Sequence, residues 1–379
     1  MVTPNANIVY KSVPSSPLVR AGFLLGLPAW YGRFVVFDHP TGFVKVQRNM
    51  VTQAQIARKL GVSRQLVTFA LSGYPQISEK SRERILAAAR EMGYRPNPYA
   101  RALKKGRSGI IGLWIPDQIS THYTHVAREL NRLVKGARHE LIVSEVSIAE
   151  EQQMLSHVPM DGIFVVDAPE QADIYQNSAL TSKVPIIRIG AGYNENTDAV
   201  KVDLFAGTLK VMEHLINSGF RRIAHATFVR EDSPHAVRRA GYLQAMRKAK
   251  LKPEFIYYPL TEQQRTIARQ LIQDYILEKG CPDAIFCHSD DVALGIYRGL
   301  CDMKLRVPET VALVGCDGIQ DTEYLECPLT TLVQPVAAMC ATAWQFLLQR
   351  MDQTATKPQI AILKPTLVVR DSSVRKPRL

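Results

Sequence analysis

From residue 110 onward, strand-like apolar runs alternate with helix-patterned segments, and this alternation restricts the chain to a largely parallel α/β architecture. Ile110–Ile115, Leu141–Val146, Gly162–Val166, Ile186–Ile189, Ile223–Ala226, Ala284–Cys287 and Val311–Gly315 read as strands. Val126–Gly136, Ala206–Asn217, His235–Ala249, Arg265–Lys279 and Asp291–Met303 read as the intervening helices. Such βα units build parallel sheets covered by helices, with ligands outside the carboxyl ends of the strands. Two sheets of this kind leave a cleft between subdomains, where closure is linked to a ligand. At 379 residues the chain exceeds one core and suits a small domain plus one large or two medium ones.

Charge separates the small domain from the rest. Residues 51–107 carry twelve Lys/Arg against three Glu and no Asp, a net of +9, and residues 1–50 add a net of +4. The whole chain is +12, which leaves residues 108–379 at −1. Basicity confined to one segment is the footprint of a nucleic-acid contact. Cysteines 281, 287, 301, 316, 327 and 340 form no C-x-x-C pair and have no histidine at zinc spacing. They read as buried thiols of a reducing cytoplasm, with no metal. No apolar run reaches the length of a membrane span; AGFLLGLPAW at 21–30 is short and broken by Gly and Pro.

Within the basic segment, Gln53–Leu60 presents Ile56, Ala57 and Leu60 as one apolar stripe. Gly61-Val62-Ser63 supplies a tight turn, and Ser63 is placed to cap a second helix from Arg64 to about Leu71. Helix, short turn and helix form the helix-turn-helix pattern. With Val67, Ala70 and Leu71 inward, Arg64, Gln65, Thr68 and Phe69 face solvent or a major groove. Arg and Gln suit bidentate contacts with guanine and adenine, and Phe suits a thymine methyl. A third helix, capped by Ser78 and closed by Gly93, sets Ile85, Leu86, Ala89 and Met92 inward. After it, Asn97 and Pro98 open a short basic helix with Arg101, Lys104, Lys105 and Arg107. Leu103 is either a wedge for a minor-groove base step or an ordinary linker leucine.

This order, with Y-R-P-N-P-x-A-R-x-L running into the strand IIGLWIPD, resembles the LacI/GalR family of bacterial transcriptional regulators over about 51–373. Further matching strings are Asp161-Gly162-Ile163, Val202-Asp203, Gly219-Phe220-Arg221-Arg222-Ile223-Ala224, Pro328–Pro335 and Leu367–Ser372. The resemblance implies an all-α helix-turn-helix headpiece with a hinge helix, followed by a two-subdomain α/β sensor like a periplasmic binding protein. The implied boundaries are a leader at 1–49, a DNA-binding domain at 50–95 and a hinge at 96–107. An effector-binding domain at 108–373 and a basic tail at 374–379 follow. Many members begin as Met50-Val51-Thr52 does, so residues 1–49 read as an over-extended or disordered leader, the rival being a genuine basic tail.

Carried over by motif, the DNA-contacting residues are Thr52, Ser63, Arg64, Gln65, Thr68 and Phe69, with Asn97, Tyr99, Ala100, Arg101 and Leu103 in the hinge. Phe69 stands where many members carry a basic residue, which leaves the operator sequence open. The implied effector-binding residues are His122, Tyr123, Arg238, Ser289, Asp290 and Asp317. Read from the residues alone, Arg238 beside Arg239 also fits a solvated helix face, Asp317 a turn cap, and His122 and Tyr123 a loop. Leu260 falls where many members place an aromatic ring over the effector, so a stacked-ring mode is not expected.

The resulting expectation is a cytoplasmic, homodimeric repressor of a pseudo-palindromic double-stranded operator, answering to a small effector such as a sugar or related metabolite. No cofactor, metal or membrane partner is implied. A solute-binding protein would need an export signal and has no use for a basic headpiece. An enzyme reading has little support: Gly190-Ala191-Gly192 is a fragment of a dinucleotide fingerprint, no Walker loop is present, and adjacent Asp290 and Asp291 point apart on a helix.

Overall fold

The computed structural model describes residues 51–94, 107–116, 119–145, 158–168, 172–173, 184–190, 196–230, 236–261 and 263–375. The chain divides into two compact units, Met1–Arg95 and Pro96–Leu379. The expected leader, the hinge residues Asn97, Tyr99, Ala100, Arg101 and Leu103, and most of the basic tail lie outside the described residues.

Three helices make the described part of the first unit: α1 (Gln53–Leu60), α2 (Arg64–Leu71) and α3 (Glu79–Glu91). Each begins on a hydroxyl cap. Thr52 and Gln55 form a reciprocal capping box, with the Thr52 amide donating to Gln55 Oε1 at 2.7 Å. Ser63 Oγ accepts from Leu66 N at 3.1 Å, and Ser78 Oγ accepts from Ser81 N at 3.4 Å. The turn between α1 and α2 needs Gly61, whose φ of 64° is left-handed. Ile56, Ala57, Val67, Ala70, Ile77, Ile85, Ala88 and Ala89 close the core. Leu71, Leu86 and Met92, expected to point inward, are half-buried at its rim, and Ala88 joins the core because the α3 stripe turns one residue further.

The second unit holds two six-stranded sheets. β1 (Ile110–Ile115), β2 (Glu140–Glu145), β3 (Gly162–Val166), β4 (Ile186–Ile189), β5 (Ala199–Val202) and β11 (Ile360–Leu363) form an all-parallel sheet in the order β11-β5-β4-β3-β1-β2. β6 (Ile223–Thr227), β7 (Glu254–Tyr257), β8 (Ala284–Cys287), β9 (Ala312–Asp317), β10 (Thr330–Val333) and β12 (Thr366–Val368) form the other, ordered β12-β10-β9-β8-β6-β7, with only β12 antiparallel. All seven strands expected from the sequence are present, with ends moved by two residues at most.

The described helices of this unit are α4 (Thr121–Gly136), α5 (Leu204–Asn217), α6 (Val237–Lys248), α7 (Gln264–Lys279), α8 (Asp290–Asp302) and α9 (Val336–Met351). The chain passes between the sheets three times: after β5 at Asp203, after β10 at Gln334–Pro335, and between β11 and β12 at Lys364–Pro365. Asp203 joins two of these passages, its amide donating to the Leu363 carbonyl at 2.8 Å and its Oδ1 capping α5 through Ala206 N at 3.0 Å. Each sheet is therefore the floor of one subdomain, and the strand carboxyl ends of both look onto the region between them.

Candidate DNA-reading surface and effector cleft

On α2, Arg64 and Gln65 are exposed and meet no packing demand. Thr68 is half-buried, with its hydroxyl 2.9 Å from Gln53 Oε1 and 3.0 Å from the Arg64 carbonyl. Gln53 Nε2 in turn donates to the Tyr94 hydroxyl at 3.1 Å, so a polar chain runs from α2 through α1 to the end of α3. Phe69 stacks on Tyr74 with ring centroids 4.8 Å apart and an interplanar angle of 17°. The structure thus leaves Arg64 and Gln65 outward, engages Thr68 and Phe69 partly inside the unit, and uses Thr52 and Ser63 as caps. Gln53 and Tyr94 were not foreseen, since only the folded triangle of helices brings residues 41 positions apart together.

In the second unit a polar cluster sits where the chain passes between the sheets. Arg238, in the first turn of α6, points across the ends of β8 and β9. Its Nη1 donates to His288 Nε2 at 2.9 Å, its Nε approaches Cys316 Sγ at 3.4 Å, and its Nη2 lies 3.9 Å from Asp317 Oδ1. Because a guanidinium only donates, His288 Nε2 is the acceptor, and its Nδ1–H faces Thr227 Oγ1 at 3.3 Å. Burial and then Arg238 hold His288 neutral, well below the usual histidine range.

Asp317 ends β9 with φ 127°, a strained backbone for a residue with a side chain. Its Oδ1 accepts from Gln334 Nε2 at 2.8 Å, and the Gln334 amide donates to the Asp317 carbonyl at 3.1 Å. The cluster is thereby tied to the second passage between the subdomains. Burial raises the Asp317 carboxyl, opposed by Arg238 and Gln334.

Ser289 and Asp290 are used by the fold. Ser289 Oγ caps α8 through Val292 N at 3.3 Å. Asp290 is fully buried; its Oδ2 accepts from Gly318 N at 2.6 Å and Ile319 N at 2.9 Å, and its Oδ1 from Thr331 Oγ1 at 2.7 Å. It clamps the loop that leaves Asp317. Gly315 is required beside it, because a Cβ there would stand 2.0 Å from Asp290 Oδ1.

From the other subdomain come His122 and Tyr123, in the first turn of α4 and not in a loop. His122 is buried, and burial pushes its imidazole down to about 4 against the attraction of Asp167. Tyr123 donates its hydroxyl to Asp167 Oδ2 at 3.3 Å. Leu260 is 66% exposed at the end of the β7 segment. His288, Gln334 and Asp167 were missed; Gln334 stands inside the family-like string Pro328–Pro335 and His288 directly before Ser289-Asp290, where proximity to the motif was the available signal. A cationic fork, a strained carboxylate, two neutral imidazoles and a phenol can together fix a small ligand rich in hydroxyls.

Residues 52–97 match the family described as bacterial regulatory proteins, lacI family, and residues 212–373 match the periplasmic binding protein-like domain. The chain thus joins a LacI-family helix-turn-helix region to a periplasmic-binding-protein-like domain. Among relatives of this chain, the ribose operon repressor of Haemophilus influenzae is 28% identical, over 85% of this chain and 98% of the relative. The HTH-type transcriptional repressor PurR of an Escherichia coli O139:H28 strain is 27% identical, over 85% and 97%. Among solved structures, the lac repressor dimer bound to operator and the anti-inducer ONPF shares the fold with a TM-score of 0.72 at 23% identity, covering 86% of this chain and all of that one. A complex of the regulator CelR with cellobiose has a TM-score of 0.60 at 23% identity, covering 85% of this chain and 99% of that one.

Proposed function

We propose that the chain is a sequence-specific DNA-binding transcriptional regulator, acting as a repressor, whose operator affinity is set by a small polar effector such as a sugar held between the two subdomains. The observation that carries this reading is the joining, in one chain, of an outward Arg64–Gln65 pair on a recognition helix to the Arg238–Asp317 cluster at the subdomain passages. Similarity to a ribose operon repressor and to a regulator in complex with cellobiose supports a sugar.

In this reading Arg64 and Gln65 contact base edges, with Thr68 and Phe69 at the margin. Asn97, Tyr99, Ala100, Arg101 and Leu103 pair with their counterparts in a second copy at the operator centre. Arg238 and Asp317 hold the effector, with His122, Tyr123 and Ser289 around it, and Asp290 acts through the loop it clamps. The boundaries of the headpiece, hinge and sensor are those the family resemblance implies. Effector and operator are linked reciprocally: each changes affinity for the other by the same factor. The protein works as a cytoplasmic homodimer, and no described helix is long and apolar enough to cross a membrane.

The chain acts by binding and not by turnover. Ser373 Oγ, 2.8 Å from His214 Nε2, is enclosed and bonded also to Thr330 Oγ1 at 2.7 Å, so this Ser–His contact is structural.

Selection of the full chain against a random duplex library at physiological salt tests the reading. Recovery of one palindromic motif is expected. Absence of any motif, both alone and with a pool of sugars, overturns it.

A further inference from the structure

Helix α4 of the first subdomain has no cap of its own: Ser120, at its N-cap, makes no side-chain cap hydrogen bond. The first amide of the helix is satisfied from the other subdomain. Thr121 N donates to Asp291 Oδ2 at 3.2 Å, and Ser120 Oγ donates to the same oxygen at 3.4 Å. Asp291, in the first turn of α8, is buried, and a helix N-terminus favours the carboxylate placed on it. Arg265 of α7 completes the joint. Its Nε donates to Asp291 Oδ1 at 2.8 Å, its Nη2 donates to Thr121 Oγ1 at 2.9 Å, and its Nη1 lies 3.6 Å from Asp321 Oδ1.

We propose that Asp291 and Arg265 form an effector-independent latch that holds the two subdomains closed by capping α4 from across the cleft. The contact involves none of the side chains assigned to the effector, so closure is favoured before any ligand arrives. Arg265 is 46% exposed, so water competes for its bonds and the latch can open. Opening uncaps α4 and leaves the Asp291 carboxylate to solvent and Arg265 alone. The effector therefore acts on an equilibrium already biased toward closure, and latch strength sets how far a ligand can move it.

The inference does not depend on what the cleft or headpiece binds, so its test uses neither DNA nor effector. Amide hydrogen exchange is measured on the full chain, the Asp291→Ala variant and the Arg265→Gln variant, the second serving if the first fails to fold. Besides residues 119–124, two further backbone sites that neither substituted side chain bonds are followed: Asp167 N, bonded to the Ile189 carbonyl at 3.0 Å, and Val229 N, in the other subdomain and bonded to Thr227 Oγ1 at 3.2 Å. The latch predicts several-fold faster exchange at residues 119–124 and at both further sites, Val229 in the other subdomain included, in either variant. Faster exchange confined to residues 119–124 would make Asp291 a local cap within a rigid pair and overturn the latch. Unchanged exchange everywhere would overturn the joint itself.

Discussion

Replacing Asp290 with alanine removes the acceptor for three donors at once: the half-buried Gly318 N and the buried Ile319 N and Thr331 Oγ1. A buried donor left unmatched costs about 1–3 kcal/mol. The threonine hydroxyl can rotate to another acceptor, whereas the two amides are fixed by the loop, so the amides alone cost about 2–4 kcal/mol, the half-buried Gly318 N less than Ile319 N. Burial and the neighbouring Asp317 raise the Asp290 carboxyl, and the three donors work against that shift. Thr331→Val removes one donor with its partner bond and is expected to cost about 1–2 kcal/mol. The assay is guanidinium unfolding of the full chain, following the transition of the sensor unit, with effector response measured on the same samples. Asp290→Ala should lose both stability and response, since Gly318 and Ile319 hold the backbone that presents Asp317. A variant within about 1 kcal/mol of the parent that no longer answers effector would refute the clamp and put Asp290 on the ligand itself.

Three further perturbations separate the parts of the molecule. Arg64→Ala should cost about 1–3 kcal/mol of operator affinity and relax preference at one base position, read by repeating the duplex selection; an unchanged motif removes Arg64 from base readout. Asp317→Ala should abolish the effector response and leave operator affinity in the absence of effector close to the parent's, measured by anisotropy titration; a preserved response takes it out of the cleft. His225 is fully buried, with Nδ1 2.9 Å from the Phe286 carbonyl, and burial pushes its imidazole down to about 4. An unfolded chain protonates this group near pH 6.5, so acid favours the unfolded state between about pH 6.5 and pH 4. His225→Phe should therefore narrow the stability lost between pH 7 and pH 5 by about 2 kcal/mol relative to the parent, and equal losses in both would contradict a buried neutral imidazole.

The elements with strong local signals were legible. Gly61, Ser63 and Ser78 mark helix boundaries chemically: α1 ends at the first, and α2 and α3 start after the other two. Continuous apolar runs such as Gly162–Val166 and Ala284–Cys287 became strands at the residues read. Helix α9 was overlooked although its stripe, Val336, Met339, Cys340, Ala343, Trp344 and Leu347, has helical spacing. The strands β5, β7, β10, β11 and β12 were missed for a different reason. They are three or four residues long, and β11 and β12 owe their existence to pairing with β5 and β10, far away in the sequence.

Arg238 and Asp317 were readable through the family resemblance, and the structure brings them within 3.9 Å. What the sequence could not divide was the HSDD string. His288 turns to Arg238, Ser289 caps α8, Asp290 clamps the loop after β9, and Asp291 reaches the other subdomain. Four adjacent polar residues take four tasks because a strand end and a helix start aim successive side chains in different directions.

The central claim is that a ligand at the Arg238–Asp317 cluster changes the affinity of the headpiece for DNA. The most direct measurement is fluorescence anisotropy of the full chain on its selected duplex, titrated with a panel of sugars and related metabolites, beside the Asp317→Ala variant. The account predicts that at least one compound shifts the dissociation constant by about fivefold or more in the parent and leaves the variant unmoved. A compound that binds the sensor, by calorimetry, while the DNA dissociation constant stays fixed would contradict it.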